Sequence, residues 1–236
     1  MNRPILNGVL VLLLIALGLV AWLSTQKDSS FFKPIQSYEL LSEFENVKPA
    51  EIDAIMAKYL GLSFWDVELD LIQSELARLD WVDKALVKRS WPDRLYVSIE
   101  EQKPVARWGD SGLVNQQGIV FYPQDGSQFN NLVVLDGTLS ESADILLALV
   151  KFQKKLHEIG FTVMSLKRQV DGVWRIALHN DSELVVESEG GEEKVSVFVR
   201  AYSKLPKALR KSAQIYDLRY SNGFIVGNSV SSELAE

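Results

Sequence analysis

The sequence predicts an α+β protein in which one N-terminal transmembrane helix precedes two small domains. An uncharged run rich in Leu, Ile and Val covers residues 5–23. Two helical patterns and three strand patterns follow within about seventy residues, which predicts a β-α-α-β-β domain. The last part of the chain alternates short strand patterns with two helical patterns, which predicts a mixed β-sheet domain with flanking helices.

The composition excludes several classes of protein. The chain has 236 residues, a net charge of −6 and no cluster of basic residues, so it lacks the positive surface that nucleic-acid binding requires. It contains no cysteine, which rules out a disulfide framework and a cysteine-based zinc site. Its hydrophobic content of 47% suits a globular protein, and its length suits one large or two small domains. We expect two.

The apolar run 5–23 predicts a membrane anchor. Its length is close to the ~20 residues that a helix needs to cross the hydrocarbon core of a bilayer. The alternative is a cleaved signal peptide, but its apolar core should span only ~7–15 residues and lead to small residues, whereas 21–23 is Ala-Trp-Leu. The tail 1–4 contains Arg3 and is expected to be cytoplasmic, although Lys27 and Lys33 weaken this bias. The expected topology leaves the bulk of the chain outside the cytoplasm.

The first domain is expected over 35–103, after a short polar linker over 24–34. Pro49 indicates a helix start, because proline in the first turn loses no needed hydrogen-bond donor, and Gly61 indicates its end. A second helical pattern runs from Leu69 to Leu79. The strands predicted around these helices are 35–44, 82–87 and 95–99. Two helices should therefore cover one face of a three-stranded sheet.

Four short motifs in and after this domain resemble one protein family. They are Leu79-Asp80-Trp81-Val82, Val87 to Leu95 with its Trp91-Pro92 pair, Glu100-Glu101, and Pro104 to Trp108. Their residue types and spacing resemble the POTRA domain of the FtsQ/DivIB family of bacterial cell division proteins. The apolar run upstream fits the same family. We expect Trp91-Pro92 to support folding, so that replacing the pair lowers the melting temperature.

This resemblance implies a location and a type of function. It implies a bitopic inner-membrane protein at the division septum, with its N-terminus in the cytoplasm and its POTRA and β domains in the periplasm. It also implies a scaffold that binds FtsB, FtsL and other membrane proteins of the division machinery, without catalysis, cofactor or metal.

The second domain is expected over 104–228, with a tail over 229–236. The elements predicted for it are short strands between 107 and 122, a helix over 143–159, strands over 161–170, 173–178 and 183–187, a helix over 192–205 and a late strand over 215–220. The turns that separate the three middle strands predict a meander.

The late strand is the predicted partner-binding site. Residues 213–220, with Gly223 and Val226-Gly227, resemble the C-terminal strand to which the family binds FtsB. A strand at a sheet edge has unpaired backbone groups, so a partner segment can add beside it. This chain has Asn222 where the family often has serine, and Asn228 where it often has tryptophan. The predicted partner-binding residues are Leu218, Arg219, Tyr220, Asn222, Gly223 and Gly227.

Other residues leave alternatives open. Without the resemblance, Tyr220 is better explained as a structural aromatic of a last strand. The resemblance also places Val87 and Arg89 on the second strand, where the family contacts recruitment partners. An alternating strand needs an inward valine and outward charges in any case, so the fold alone also explains these two residues.

No catalytic constellation stands out in the sequence. His157 and His179 lack the spacing of metal ligands. Ser24 and Lys27 match the pattern Ser-x-x-Lys, but its companion motifs are absent and the match is attributed to chance. We expect no enzyme activity. The alternative is an anchored POTRA module of envelope assembly or a cell-wall enzyme of unrecognised type.

Overall fold

The computed structural model describes residues 12–20, 33–210 and 214–228. Residues 12–20 are helical, and the rest of the predicted transmembrane stretch 5–23 lies outside the described residues. The tails 1–4 and 229–236 and most of the predicted linker 24–34 also lie outside them. Within the described ranges, no helix is both long enough and apolar enough to span a bilayer.

The chain divides into two compact units, Met1–Glu101 and Gln102–Glu236. Each unit has its own cluster of buried apolar side chains. The elements of the first unit are β1 (Ser37–Leu40), α1 (Pro49–Met56), α2 (Leu69–Leu76), β2 (Val82–Ser90) and β3 (Arg94–Glu101). The predicted order β-α-α-β-β is confirmed.

The sheet of the first unit has the strand order β1-β3-β2. Strand β1 runs parallel to β3, and β2 runs antiparallel to it. Alternate residues of β3, namely Leu95, Val97 and Ile99, are buried because successive side chains of a strand point to opposite faces. Helices α1 and α2 contribute Ile52, Met56, Ile72 and Leu76 to the same buried cluster. Strand β1 is shorter than the predicted stretch 35–44.

The second unit contains nine strands and two α-helices among its described residues. The strands are β4 (Pro104–Trp108), β5 (Gly112–Asn115), β6 (Val120–Phe121), β7 (Val134–Asp136), β8 (Val163–Arg168), β9 (Val173–Leu178), β10 (Glu183–Glu187), β11 (Gln214–Asp217) and β12 (Ile225–Asn228). The helices are α3 (Ser142–His157) and α4 (Gly191–Tyr202), with short 3-10 turns at Ser127–Phe129, Leu139–Glu141 and Lys207–Leu209.

These strands form one sheet with the order β12-β11-β10-β9-β8-β7-β4-β5-β6. Strands β8, β9 and β10 pair antiparallel in succession, so the predicted meander is confirmed. Helix α3 packs on β7 and β8, α4 packs on β10, and the two helices contact each other. The shared core lies between this helical layer and the sheet.

The structure corrects the prediction for the end of the sheet. The predicted late strand 215–220 ends at Asp217, and it is not the edge, because β11 pairs with β10 on one side and with β12 on the other. Among the described residues, the outermost strand at this end of the sheet is β12, which was not predicted as a strand. Strand β7 was also not predicted; its three residues are too few for a periodic pattern to be recognised.

Candidate partner-binding site

The candidate site is the outer edge of β12. One side of β12 pairs with β11, and none of the strands in the described part of the chain pairs with its other side. In an antiparallel pair, alternate residues direct both backbone groups toward the partner strand and the others direct them away. The outer side of β12 therefore carries N–H and C=O groups that can accept another strand.

The register of β11 and β12 determines which side chains border this edge. Tyr216 lies opposite Val226, and Asp217 lies opposite Ile225. Tyr216 is buried and Val226 packs against the core, so both point toward the helical layer. Ile225, one residue away, is 51% exposed. The edge strand thus presents a large apolar side chain to solvent, which is uncommon for an edge without a partner.

An aromatic cluster supports β12 from beneath. The ring of Phe198 on α4 lies 5.0 Å from the ring of Tyr216 and 5.1 Å from that of Phe224. The Tyr216 hydroxyl donates a hydrogen bond of 3.0 Å to the carbonyl oxygen of Leu209. Burial, with the neighbouring Tyr202, raises the pKa of Tyr216 to about 12. Tyr216 therefore stays neutral, as a ring packed within this cluster must.

The turn between β11 and β12 is fixed by backbone and charged contacts. The Leu218 N–H donates to the Val185 carbonyl oxygen at 2.8 Å, which extends the pairing of β11 with β10. The Arg219 guanidinium donates to both carboxylate oxygens of Asp217, at 2.9 and 2.6 Å, and this bond is the main reason that the pKa of Asp217 is lowered. Lys194 on α4 donates to the Arg219 carbonyl oxygen at 3.0 Å.

A groove of about 300 Å³ lies between α4 and this turn. It is lined by Gly190, Glu193, Lys194, Val197, Leu218, Tyr220, Ser221, Gly223 and Phe224. Its lining combines the apolar side chains of Val197 and Phe224 with the charged side chains of Glu193 and Lys194, as sites that bind a peptide segment commonly do. Phe224 immediately precedes β12, so the groove lies next to the start of this strand.

Comparison with known families shows where this architecture belongs. Residues 40–102 match the model of the FtsQ-type POTRA domain, and residues 106–219 match that of the C-terminal part of the cell division protein FtsQ/DivIB. Together these matches extend from β1 to Arg219, just after β11. The chain belongs to the FtsQ/DivIB family.

Individual relatives agree with the family match. The chain is 32% identical over 216 residues to the cell division protein FtsQ of Allochromatium vinosum, a match that covers 92% of this chain and 86% of the relative. It is 30% identical to FtsQ of Cellvibrio japonicus, covering 91% and 67% of the two chains. For FtsQ of Coxiella burnetii the identity is 27%, with 82% and 79% covered. This FtsQ/DivIB member is thus a cell division protein.

The structure brings six of the predicted site residues together at one place in this family member. Leu218, Arg219, Tyr220, Asn222, Gly223 and Gly227 all lie on the turn between β11 and β12 or on β12. Arg219, Tyr220 and Asn222 are exposed. Leu218 is buried, so its side chain belongs to the core. Gly227 lies opposite Ile215 and belongs to the same face of the sheet as Ile225, two residues earlier.

Val87 and Arg89 lie in the first unit and have structural contacts there. The Val87 side chain is buried, and its N–H donates to the Gln73 side-chain oxygen at 3.0 Å. The Arg89 guanidinium donates to three backbone carbonyl oxygens, those of Phe64, Trp65 and Val67, at 2.8, 3.1 and 2.7 Å. Arg89 therefore holds the segment that precedes α2. Partner binding by these two residues remains a prediction.

The α4 side of the site was not predicted from the sequence. Glu193, Lys194 and Val197 line the groove, but nothing local distinguishes them from other residues of an amphipathic helix. Strand β12, in contrast, could have been recognised from its sequence. Asn222-Gly223 is a frequent hairpin turn, and Ile225-Val226 after it are β-branched residues that favour a strand.

Proposed function

We propose that the chain is a membrane-anchored scaffold of the division machinery that binds FtsB by strand addition at the outer edge of β12. The observation that carries this proposal is the unpaired side of β12 in the described structure, bordered by the exposed Ile225 and Tyr220. FtsB and FtsL are the partners that the family resemblance implies.

Strand addition fits the physical character of this edge. Backbone hydrogen bonds to β12 would supply affinity, and side chains that alternate along the added strand would supply specificity. Ile225 offers an apolar contact on one side of the strand, and Tyr220 offers a rigid aromatic contact at the turn. Aromatic residues at such positions often contribute most of the binding free energy. Because the Phe198 cluster holds β12 in place, little conformational entropy need be lost on binding.

The anchor is proposed from the apolar run 5–23, of which 12–20 is helical. A single span at this position would place the N-terminus in the cytoplasm and both units in the periplasm, at the division septum. The outer edge of β12, to which the partner would bind, would then lie in the periplasm.

We propose that the site acts by binding and not by catalysis. Two of its cations are paired at the surface: Lys194 with Glu187 at 2.6 Å, and Arg219 with Asp217 at 2.6 Å. An enzyme site normally directs unpaired titratable groups into an enclosed pocket. The pairing at this groove instead orders the turn that borders β12.

A substitution with a matched control tests the proposed site. Tyr220 and Tyr122 belong to the same unit and are both 52% exposed, but Tyr122 follows β6, at the opposite end of the sheet from β12. We expect Tyr220→Ala to weaken binding of the purified chain to FtsB about tenfold or more, as for an aromatic hot spot. Tyr122→Ala should leave the dissociation constant unchanged.

The melting temperature of both variants should stay close to that of the wild type, because substitutions of exposed side chains change stability little. Equal binding by the two variants in calorimetry would show that Tyr220 is not part of the site. A crystal structure with FtsB away from β12 would refute strand addition itself.

A further inference from the structure

Exposed apolar side chains cluster at the end of the first unit where the chain enters this unit. Pro34 forms a bridge with Ser63, and the Ile35 N–H donates to the Leu62 carbonyl oxygen at 2.9 Å. The Gln36 N–H donates to the Asp93 carbonyl oxygen at 2.8 Å. These bonds bring together the first residues of the unit, the segment after α1 and the turn between β2 and β3.

The same end carries two exposed tryptophans. Trp65 is 51% exposed and Trp91 is 58% exposed. Leu60 and Leu62 beside them are also exposed. We call these four residues the Trp65/Trp91 surface. Arg89 connects the segment that contains Trp65 with the turn that contains Trp91. It lies on β2, two residues before Trp91, and its guanidinium donates a hydrogen bond to the Trp65 carbonyl oxygen. Large exposed aromatic side chains in one place usually indicate a contact surface.

The length of the connecting chain limits what this surface can meet. The predicted anchor ends at residue 23, and the described structure resumes at Lys33. Ten residues can span at most about 35 Å. With the proposed anchor in the bilayer, the end of the unit that receives this segment therefore lies within about 35 Å of the bilayer surface.

The charges around the surface indicate how it would contact lipid. Arg94 is exposed and Lys33 is partly exposed, but Asp66 and Glu68 are exposed as well, so these charges balance and leave no excess of positive charge to attract anionic headgroups. Tryptophan rings instead favour the interface between water and hydrocarbon, where the ring is apolar and its N–H reaches a polar group. The contact should then depend on the rings and little on salt.

We propose that the Trp65/Trp91 surface rests on the bilayer interface and so fixes the orientation of the first unit above the membrane. The proposal rests on the membrane anchor of the proposed function. The ligand chemistry is a lipid headgroup region of any charge, not a specific phospholipid. Contact with the bilayer interface would also explain why Trp91 is exposed. Trp91 belongs to the Trp91-Pro92 pair that was predicted from the sequence to support folding.

A fluorescence experiment on the full chain tests this contact. The chain has no cysteine, so Asp66→Cys provides a single labelling site next to Trp65. Glu43→Cys provides a matched exposed site near the opposite end of β3. The six residue steps from Arg94 to Glu100 along this strand, at ~3.4 Å each, separate the two ends by about 20 Å. Each labelled chain is reconstituted in phosphatidylcholine vesicles with a quencher on the lipid headgroup.

We expect the label at Asp66→Cys to lose about half of its emission, since interfacial side chains sit ~5–10 Å into the headgroup region. The label at Glu43→Cys should be quenched at least about threefold less at this distance from the interface. Adding Trp65→Ser and Trp91→Ser should reduce quenching at Asp66→Cys to the level of Glu43→Cys, measured at a temperature at which circular dichroism shows the variant to be folded. Raising the salt concentration should leave the quenching unchanged.

Three results would overturn the proposal, and they have different meanings. Equal quenching at both sites, in a chain that floats with the vesicles, would disprove the lipid contact and leave the anchor intact. Failure of the chain to float with the vesicles would disprove the anchor, and the contact with it. Protection of the Asp66→Cys label only when FtsB and FtsL are added would assign the surface to a protein partner.

Discussion

The outer strands β2 of the first unit and β12 of the second both carry predicted partner-binding residues, but their free sides differ. On β2, the outward N–H of Val87 is occupied by the Gln73 side chain, and Arg89 is bonded to three carbonyl oxygens of its own unit. On β12, the described structure leaves the outer side unpaired, next to the exposed Ile225.

The difference shows that an edge position alone does not make a binding site. A protein can protect an edge by covering its backbone groups with its own side chains. On β2 the Gln73 side chain does this for the Val87 N–H. Elsewhere in the first unit, the Glu101 carboxylate accepts hydrogen bonds from the backbone N–H groups of Glu45, Asn46 and Val47 in the segment between β1 and α1. The second unit leaves β12 open. The edge that stays open is the better candidate for strand addition.

The largest expected effect comes from removing the support of β12. Phe198→Ala should lower the free energy of unfolding by about 3–5 kcal/mol, because it leaves a cavity next to the rings of Tyr216 and Phe224. Binding of FtsB should weaken even at temperatures at which the variant is folded, as measured by calorimetry after a denaturant titration. Phe198→Leu is the control, with a smaller cavity and smaller losses of both. Unchanged binding by folded Phe198→Ala would show that the edge does not need this support.

Arg89→Ala tests whether β2 is structural. Three carbonyl oxygens lose a charged donor, so the free energy of unfolding should fall by about 2–3 kcal/mol, while FtsB binding at low temperature should not change. Arg89→Lys should restore only part of the stability, because lysine lacks the planar fork of donors. A variant of normal stability that no longer joins the division machinery would instead assign Arg89 to a partner surface.

Ile225→Glu tests the open edge directly. A carboxylate on an edge strand disfavours pairing with an incoming strand, so FtsB binding should weaken about tenfold, or ~1.4 kcal/mol. Ile119→Glu is the matched control, since Ile119 is 54% exposed and Ile225 is 51% exposed. Both variants should keep their stability within ~0.5 kcal/mol. Equal loss of binding in both would indicate a nonspecific charge effect.

The smallest effect concerns the segment between β1 and α1 of the first unit, which the Glu101 carboxylate holds. Burial opposes ionisation of Glu101, but the hydrogen bonds from Val47, Asn46 and Glu45 outweigh it and lower the pKa below the ordinary 4.5. Because the folded-state pKa is lowered, the carboxylate contributes stability above the unfolded-state pKa and loses it as pH falls through the folded-state pKa. Glu101→Gln should cost about 1 kcal/mol at pH 7 and less in acid.

Urea unfolding of the wild type and Glu101→Gln at pH 7 and at pH 3 measures this difference. Glu100→Gln is the control, because Glu100 is an exposed partner of Lys84 and such pairs contribute little. A stability difference between Glu101→Gln and the wild type that is the same at both pH values would show that the ionised carboxylate does not hold the 45–47 segment.

Much of the fold could be predicted because its signals are local. The strands 173–178 and 183–187 have the predicted bounds, and the helices after Pro49 and before Gly160 were recognised from apolar spacing and turn residues. The end of the sheet could not be predicted in this way. Whether 215–220 lies at an edge depends on what pairs with it, and its partner β12 consists of residues that lie 8 to 14 positions further along the chain.

The site residues show the same limit. Tyr220 and Gly223 lie on the turn before β12 and Gly227 lies on β12, and their part in partner binding stays a prediction from the family motif. Val87 and Arg89 belong to an equally clear motif, but their contacts with Gln73 and Phe64 join residues 14 and 25 positions apart. Residue types on one strand do not reveal such partners. The role of a side chain on β2 is therefore set by α2 and by the segment that precedes it.

The sequence by itself determined the family, the order β-α-α-β-β, the meander and the region that contains the candidate site, because periodicity, turn residues and motif spacing are properties of short segments. Only the tertiary structure decided which strand is outermost, which edge its own side chains close and which residues of α4 join the groove. These depend on hydrogen bonds and packing between segments far apart in the chain, and the energy of each contact exists only when both partners are in place.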